Sequence, residues 1–426
     1  MPQAAPLIRS VKGTRDLLPP ETALWLRVES ECRAVLAAYN FQEIRTPVLE
    51  QTALFARSVG ADTDIVAKEM YTFEDRDHES LTLRPEATAG VVRAAIEHGL
   101  FNEGRIHKLY YIGPMFRRER PQKGRYRQFY QIGAEALGSD HPLIDVEALE
   151  MLMLMIGRLG LKDVALLVNS VGCRQCRAEY VKLLRRELEP IKSQMCVDCQ
   201  RRAETNPLRV LDCKVPADQP IIEKLPSILD HLCPECREHF ARVTGELRRR
   251  GIAHTVTPRL VRGLDYYTRT TFEITSGPGG PLGAQNALLG GGRYDALSEI
   301  LGGPPVPAFG FAIGEDRLVI SVEEAGAFKA EDALAVYIAW MGDQTLVPAL
   351  DLARELRAAG LRVEIGLEPA KLKKMLGQAS KHQARFAVII GEGELAGSRY
   401  QVKDMRAGAQ EEVEPGRIGE YLKSRL

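Results

Sequence analysis

Two aromatic-rich runs constrain this chain most: KLYYIGPMF at 108–116 and RQFYQIGAEAL at 127–137, joined by RRERPQKGRY at 117–126. Runs of that length, separated by a charged segment with Pro121 and Gly124, predict an antiparallel hairpin. Further strand-like runs follow near 164–170, 270–275 and 286–290. Helical spacing of apolar residues marks 21–39, 86–99, 143–159 and 315–325. Strands in meander order with helices between them predict an α+β domain on a mainly antiparallel sheet, spanning 1–325.

Two stretches depart from that pattern. Residues 173–250 are rich in Arg, Glu and Leu, mostly helical in period, and hold seven of the eight cysteines. They read as a helical insertion at about 173–250. Cys173/Cys176, Cys196/Cys199 and Cys233/Cys236 form CxxC pairs, with Cys213 between them, a spacing that suits zinc. The preferred reading is an insertion without metal, so no metal ligand is assigned. A structural zinc among Cys196, Cys199, Cys213, Cys233 and Cys236 is the alternative. After a linker near 324–331 the pattern changes again. Strands and helices alternate, which predicts a small α/β domain with a mainly parallel sheet over 331–426.

Basic and acidic residues balance at 57 each, so charge marks partners only locally. Residues 105–127 carry eight Lys or Arg against Glu119 alone, and 371–385 carry five with no acid. Two such patches suggest polyanion contacts at two places. No apolar run is long enough to cross a membrane and the N-terminus lacks a signal-peptide core, so a cytoplasmic protein is expected. Its cysteines are then expected to be reduced.

The chemistry sits in three arginine-bearing segments. VRGLDYYTRTTFEI at 261–274 places Arg262, Tyr266 and Tyr267 just ahead of a strand, a set suited to a small zwitterion or an anionic group. In the hairpin, Phe129, Gln131 and Glu135 alternate onto one face beside Arg117, Glu119 and Arg125, offering a stacking ring next to a polar pocket. GPPVPAFGFAIGEDRL at 303–318 opens a helix whose third residue, Arg317, can sit over a phosphate or a base. LLGGGRYDAL at 288–297 allows close backbone approach. Each segment also has a plainer structural reading: a solvated turn, a partly exposed sheet face, a tight loop. Neither a Walker A sequence nor GxGxxG is present, so a P-loop or dinucleotide fold is unsupported.

Taken in order, LRPEATA, the Arg117–Arg127 loop, RGLDYYT, GGGRYD and GFAIGEDRL resemble histidyl-tRNA synthetase, a class II aminoacyl-tRNA synthetase. The resemblance begins at VKGTRDLLPPE and includes the C-terminal domain, which it implies to be an anticodon-binding domain. It implies a histidine site of Glu86, Ala87, Thr88, Arg117, Gln131, Glu135, Arg262, Tyr266 and Tyr267. ATP would lie on Arg117, Glu119, Arg125, Phe129 and Arg317, with Mg²⁺, and Arg262, Arg117 and Arg317 would be catalytic. The implied partners are L-histidine, ATP and tRNA(His), with a homodimer as the assembly. Ala87 stands where the family usually has Gly, and Asp316 where it usually has Glu. Two competing readings are a catalytically silent regulator on the same fold, which typically lacks the C-terminal domain, and a class II synthetase for another amino acid.

Overall fold

The computed structural model describes residues 7–60, 63, 65–277, 282, 286–328 and 334–426. The expected linker near 324–331 falls partly outside them. The chain divides into two compact units, 1–328 and 329–426.

The first unit is built on an eight-stranded sheet among the described residues. Its order is Gln42–Glu43, His107–Phe116, Gln128–Leu137, Ala308–Gly314, Ala287–Arg293, Thr268–Ser276, Val164–Ser170 and Thr255–Val256. Only the two outermost pairings are parallel; the central strands are antiparallel. The predicted hairpin is its edge-proximal pair, with Gly113 opposite Gln131 and Leu109 opposite Glu135.

Alternation along the central strands decides the two faces. Ile132, Ala134 and Ala136 point into a core shared with Phe272, Ile274 and Phe311. That core is closed by the helices Glu21–Ala38 and Pro142–Arg158, through Trp25, Val28, Leu36, Leu149 and Leu152. Each such side chain contributes about 1.5–3 kcal/mol on burial. The opposite face carries Phe129, Gln131 and Glu135, and is left for the site.

The insertion departs from its expected limits at one end. The helix Pro234–Arg249 buries Val243 and Leu247 completely in the main core, against the helix Pro142–Arg158. The chain has therefore rejoined the main body before residue 250. The physical reason is its apolar stripe, which a purely solvated insertion would leave exposed. Behind it, Arg293 and Asp145 form an ion pair with both side chains fully buried. Arg293 also donates to the Ser139 carbonyl at 2.8 Å, so the pair is hydrogen-bonded as a buried pair must be.

The second unit has a five-stranded sheet in the order Val363–Ile365, Leu334–Trp340, Ala384–Ile390, Tyr400–Asp404, Gln410–Val413. The first three are parallel and the last two antiparallel. The strand Gln410–Val413 has no counterpart in the sequence reading, because QEEV carries no apolar alternation. On the helix Leu372–Lys381, Met375 and Ala379 are buried while Lys373, Lys374 and Lys381 are exposed. Arg385, counted from the sequence with that patch, instead pairs with Asp404.

Candidate active site

One cavity of about 300 Å³ opens on the free face of the large sheet. It brings together eleven of the thirteen side chains picked out from the sequence: Glu86, Thr88, Arg117, Glu119, Arg125, Phe129, Gln131, Arg262, Tyr266, Tyr267 and Arg317. Ala87 and Glu135 do not line it. Both are buried behind its wall, at 1% and 0% exposure.

The closed end is polar and buried. Glu86 accepts hydrogen bonds from the backbone N–H groups of Thr88 at 2.8 Å and Ala89 at 3.0 Å, the first turn of the helix Thr88–Glu97. Those donors are orphans at any helix start, and the carboxylate satisfies them. Burial pushes the Glu86 carboxyl upward, against the pull of these bonds and of Arg117. Ala87 itself has φ −109° and ψ −18°. An alanine takes that conformation without strain, so the departure from glycine costs nothing in the backbone.

Glu135 is the most buried acid of the site. Thr88 Oγ1 donates to it at 2.8 Å and the Tyr294 hydroxyl donates to its other oxygen. Burial pushes its carboxyl up to about 8, against the bonds from Tyr294 and Thr88. Near neutral pH the group is therefore a neutral acid, able to donate. Gly310 lies opposite it on the neighbouring strand and lines the cavity. A Cβ at 310 would overlap the Glu135 carboxylate, so only glycine leaves that acid room. Beside it, Gln131 Oε1 is buried without a hydrogen-bond partner in the protein. An acceptor held dry like this calls for a donor from a ligand. Tyr266 and Tyr267 pack with ring centroids 4.9 Å apart, and Tyr266 meets Tyr294 edge-on at 5.5 Å.

The other end is open and cationic. Arg117 anchors through Nε to the Pro85 carbonyl at 2.9 Å and stacks 5.3 Å from the Phe129 ring. Arg125 reaches Glu119 at 2.6 Å across the hairpin turn. Arg317 donates to the carbonyls of Gly124 at 3.1 Å and Ala287 at 2.9 Å. Burial lowers its pKa from the usual arginine value, and Arg125 and Arg117 add repulsion. Three guanidiniums so close are tolerable where an anion is to be bound. Asp316, before it, accepts from the Tyr130 backbone N–H at 3.0 Å and pairs with Arg15 at 3.1 Å. The shorter acid thus still fastens the helix to the hairpin.

Arg262 lies flat over the triple-glycine strand: a Cβ at Gly290 would sit 2.5 Å from its guanidinium carbon. This is the close approach that GGGRYD allows. Its partner is Glu273, which pairs with Gly290 in the strand register. Burial works against the charge, and Glu273 with Tyr267 more than offsets it, so the pKa is raised.

Tyr294, Glu273 and Gly310 escape a reading of the sequence alone. Alternation could have flagged Glu273, which stands between the fully buried Phe272 and Ile274. Tyr294 and Gly310 matter only through strands that the sequence order does not make neighbours.

A family model described as Histidyl-tRNA synthetase matches residues 13–195 and 208–318. The chain belongs to the histidyl-tRNA synthetase family. A second model, described as an anticodon binding domain, matches residues 335–425. Among curated relatives, the histidine–tRNA ligase of Solibacter usitatus is 56% identical over 417 residues, covering 98% of this chain and 99% of that one. The ligase of Koribacter versatilis is 54% identical over 431 residues, 98% of this chain and 96% of the relative. The crystal structure of apo Staphylococcus aureus histidyl-tRNA synthetase superposes with a TM-score of 0.82 at 38% identity, covering 98% of this chain and all of that one. A histidyl-tRNA synthetase with its anticodon-binding domain is not the truncated regulator considered from the sequence.

Proposed function

We infer that this histidyl-tRNA synthetase joins L-histidine to ATP as histidyl-adenylate and transfers it to the 3′ end of tRNA(His), releasing pyrophosphate and then AMP. One observation carries the reading of the site: a buried polar floor and a cluster of guanidiniums open into the same cavity.

The floor suits the amino acid. Glu86, Thr88 and Gln131 would hold the ammonium, Gln131 with the acceptor it has no protein partner for. Tyr267, on the cavity wall, would meet one imidazole nitrogen, and the ring would reach Glu135 with the other by settling past Gly310, which lines the cavity in front of that acid, one group donating and one accepting. A substrate without ring nitrogens would leave those groups unpaired, which is the source of selectivity.

The open end suits ATP. Phe129 offers adenine a ring, and Arg117, Arg125 and Arg317 would take the phosphates. Histidine's carboxylate attacks the α-phosphorus, and Arg262 would stabilise the charge growing on that phosphate's oxygens. The donor set also fits Mg²⁺ arriving with the triphosphate: Glu119 brings a hard carboxylate oxygen to the cavity, and one or two carboxylates plus phosphates are what that ion takes. Bound there, Mg²⁺ would neutralise phosphate charge. A homodimer in the cytoplasm is proposed as the working form. No described helix is long and apolar enough to cross a membrane.

The test is pyrophosphate exchange into ATP with each of the twenty amino acids, followed by charging of total tRNA. Exchange with histidine alone, and charging of tRNA(His) alone, is expected. Exchange driven by a different amino acid would overturn the assignment.

A further inference from the structure

The fold sorts the insertion's cysteines in a way their order does not suggest. Sulfur atoms of Cys173, Cys176, Cys233 and Cys236 lie within 4.8 Å of one another. A second group within the same limit joins Cys196, Cys199 and Cys213 to a carboxylate oxygen of Asp218. The sequence alternative confines a metal to 196–236, with Cys233 and Cys236 beside Cys196 and Cys199. Those two pairs belong to different groups, and Cys173 and Cys176 complete the first.

The spacings separate the possible chemistries. All eight cysteines are free. Cys173 and Cys176 have their sulfurs 3.6 Å apart, and Cys196 and Cys213 3.9 Å. A disulfide would need about 2.05 Å. A tetrahedral zinc with Zn–S bonds of about 2.3 Å sets its sulfurs about 3.8 Å apart, which both pairs match. Cys213 Sγ and Asp218 Oδ2 are 3.3 Å apart, compatible with one thiolate and one carboxylate on the same ion. Groups this tight hold one ion and leave no room for a cluster.

Local structure presents the ligands. Each CxxC pair starts a helix: Cys173 caps Arg174–Leu188, Cys196 caps Val197–Thr205, and Cys233 caps Pro234–Arg249. None of the three spends its side chain on a capping bond. The second cysteine of each pair lies in the first turn of its helix. Backbone N–H groups support the sulfurs from outside, Cys233 to Cys176 Sγ at 3.1 Å and Val215 to Cys213 Sγ at 3.4 Å. Asp218 is 1% exposed, accepting from the Cys196 N–H at 3.1 Å and from the Cys213 thiol. Ordinary core cysteines pack singly among apolar side chains. A buried carboxylate set among three thiols is a metal donor set instead.

We propose that the insertion holds two structural zinc ions, one on Cys173, Cys176, Cys233 and Cys236 and one on Cys196, Cys199, Cys213 and Asp218. Each has four protein ligands and no open position, the arrangement of a structural site. The first clamps the two ends of the insertion at its neck. The second pins the short helix Val197–Thr205 to the segment that follows it. Both act on the loop before Tyr267. Arg177, one turn from Cys173, donates to the Asp265 carbonyl at 2.6 Å and the Tyr267 carbonyl at 3.2 Å. Asn206, at the end of the helix that Cys196 starts, donates to Asp265 Oδ1 at 2.9 Å. This positioning role rests on the histidine-site reading above; the metal content does not.

The test is elemental analysis of the full-length protein purified without a metal-affinity tag. Two zinc per chain are expected, and Co²⁺ grown in their place should give thiolate-to-metal charge-transfer bands. Cys176→Ser with Cys236→Ser should lose one zinc, and Cys199→Ser with Asp218→Asn the other. Because such variants can misfold, zinc is also to be stripped from the wild-type chain with a chelator. Stripping should lower Tm and raise the histidine KM several-fold more than the ATP KM. Wild-type protein with no metal, or with iron, overturns the proposal. A single zinc overturns the site whose variants leave it in place. An unchanged histidine KM after stripping overturns only the positioning role.

Discussion

The two ends of the cavity solve opposite problems with the same kinds of atoms. At the closed end Glu135, Tyr266, Tyr267 and Tyr294 are all under 9% exposed, and burial drives the acid toward its neutral form. At the open end Arg125 is 42% exposed and Arg117 20%, and both share Glu119. Polar groups held dry discriminate, because an unmatched substrate leaves them unpaired. Charges kept near water attract an anion at little desolvation cost, and recognise it less sharply. The difference teaches where to look for specificity and where for rate. On the proposed function, Glu135 would serve the first and Arg262 the second.

The sharpest way to break that division is Arg262→Ala. Removing a preorganised donor to a developing oxyanion costs roughly a hundred- to thousandfold in rate. Single-turnover quench experiments at saturating ATP should show that loss in adenylate formation, with histidine Kd changed much less. Arg262→Lys should restore little, since a point charge does not replace the planar fork lying on Gly290. Collapse of histidine binding at a near-normal saturated rate would move Arg262 to the specificity end.

A smaller effect sharpens the closed end. With its carboxyl raised to about 8, Glu135 carries a proton into the complex at neutral pH. The complex then binds one more proton than the free enzyme does above that pH. Histidine Kd should therefore stay level from about pH 7, where the substrate ring is neutral, to about pH 8, and rise about tenfold per unit beyond it. Glu135→Gln, a permanently neutral donor, should flatten this rise when both proteins are titrated with histidine by calorimetry. Equal slopes for the two would remove Glu135 from the reading of the ring.

The smallest expected effect lies outside the cavity, in the second unit. Lys373 and Lys374 are exposed on a helix whose buried side is Met375 and Ala379. Lys373→Ala with Lys374→Ala should lower the salt slope of tRNA binding by about 0.7–0.9 for each phosphate these lysines neutralise. Pyrophosphate exchange should be unchanged. An unaltered slope would place the tRNA elsewhere.

Legibility from sequence follows how far apart the interacting residues are in the chain. Arg262, Tyr266 and Tyr267 lie in one short run, and Phe129, Gln131 and Glu135 on one strand, so composition and alternation expose them. Gly310 matters only because its strand lies beside the strand of Glu135, and Glu273 because Gly290 is its register partner. No local pattern encodes either pairing. The cysteines repeat the lesson. Three CxxC pairs are plain in the sequence, but which pairs meet is decided by the strand Val164–Ser170 and the helix Pro234–Arg249 closing the neck of the insertion. The QEEV strand is invisible because its outward residues are all polar and its pairing is with a single neighbour.

The central claim is that the closed end recognises ring nitrogens with buried polar groups rather than a ring by its shape. Its most direct test is the ratio of kcat/KM for pyrophosphate exchange with L-histidine over L-phenylalanine, measured in the wild-type enzyme. A site built to hydrogen-bond its substrate rejects an analogue lacking those atoms by about 10⁴–10⁵. The account predicts a ratio in that range, falling by at least tenfold in Glu135→Ala. A ratio near 10², unchanged in that variant, would show that shape alone does the sorting and would contradict it.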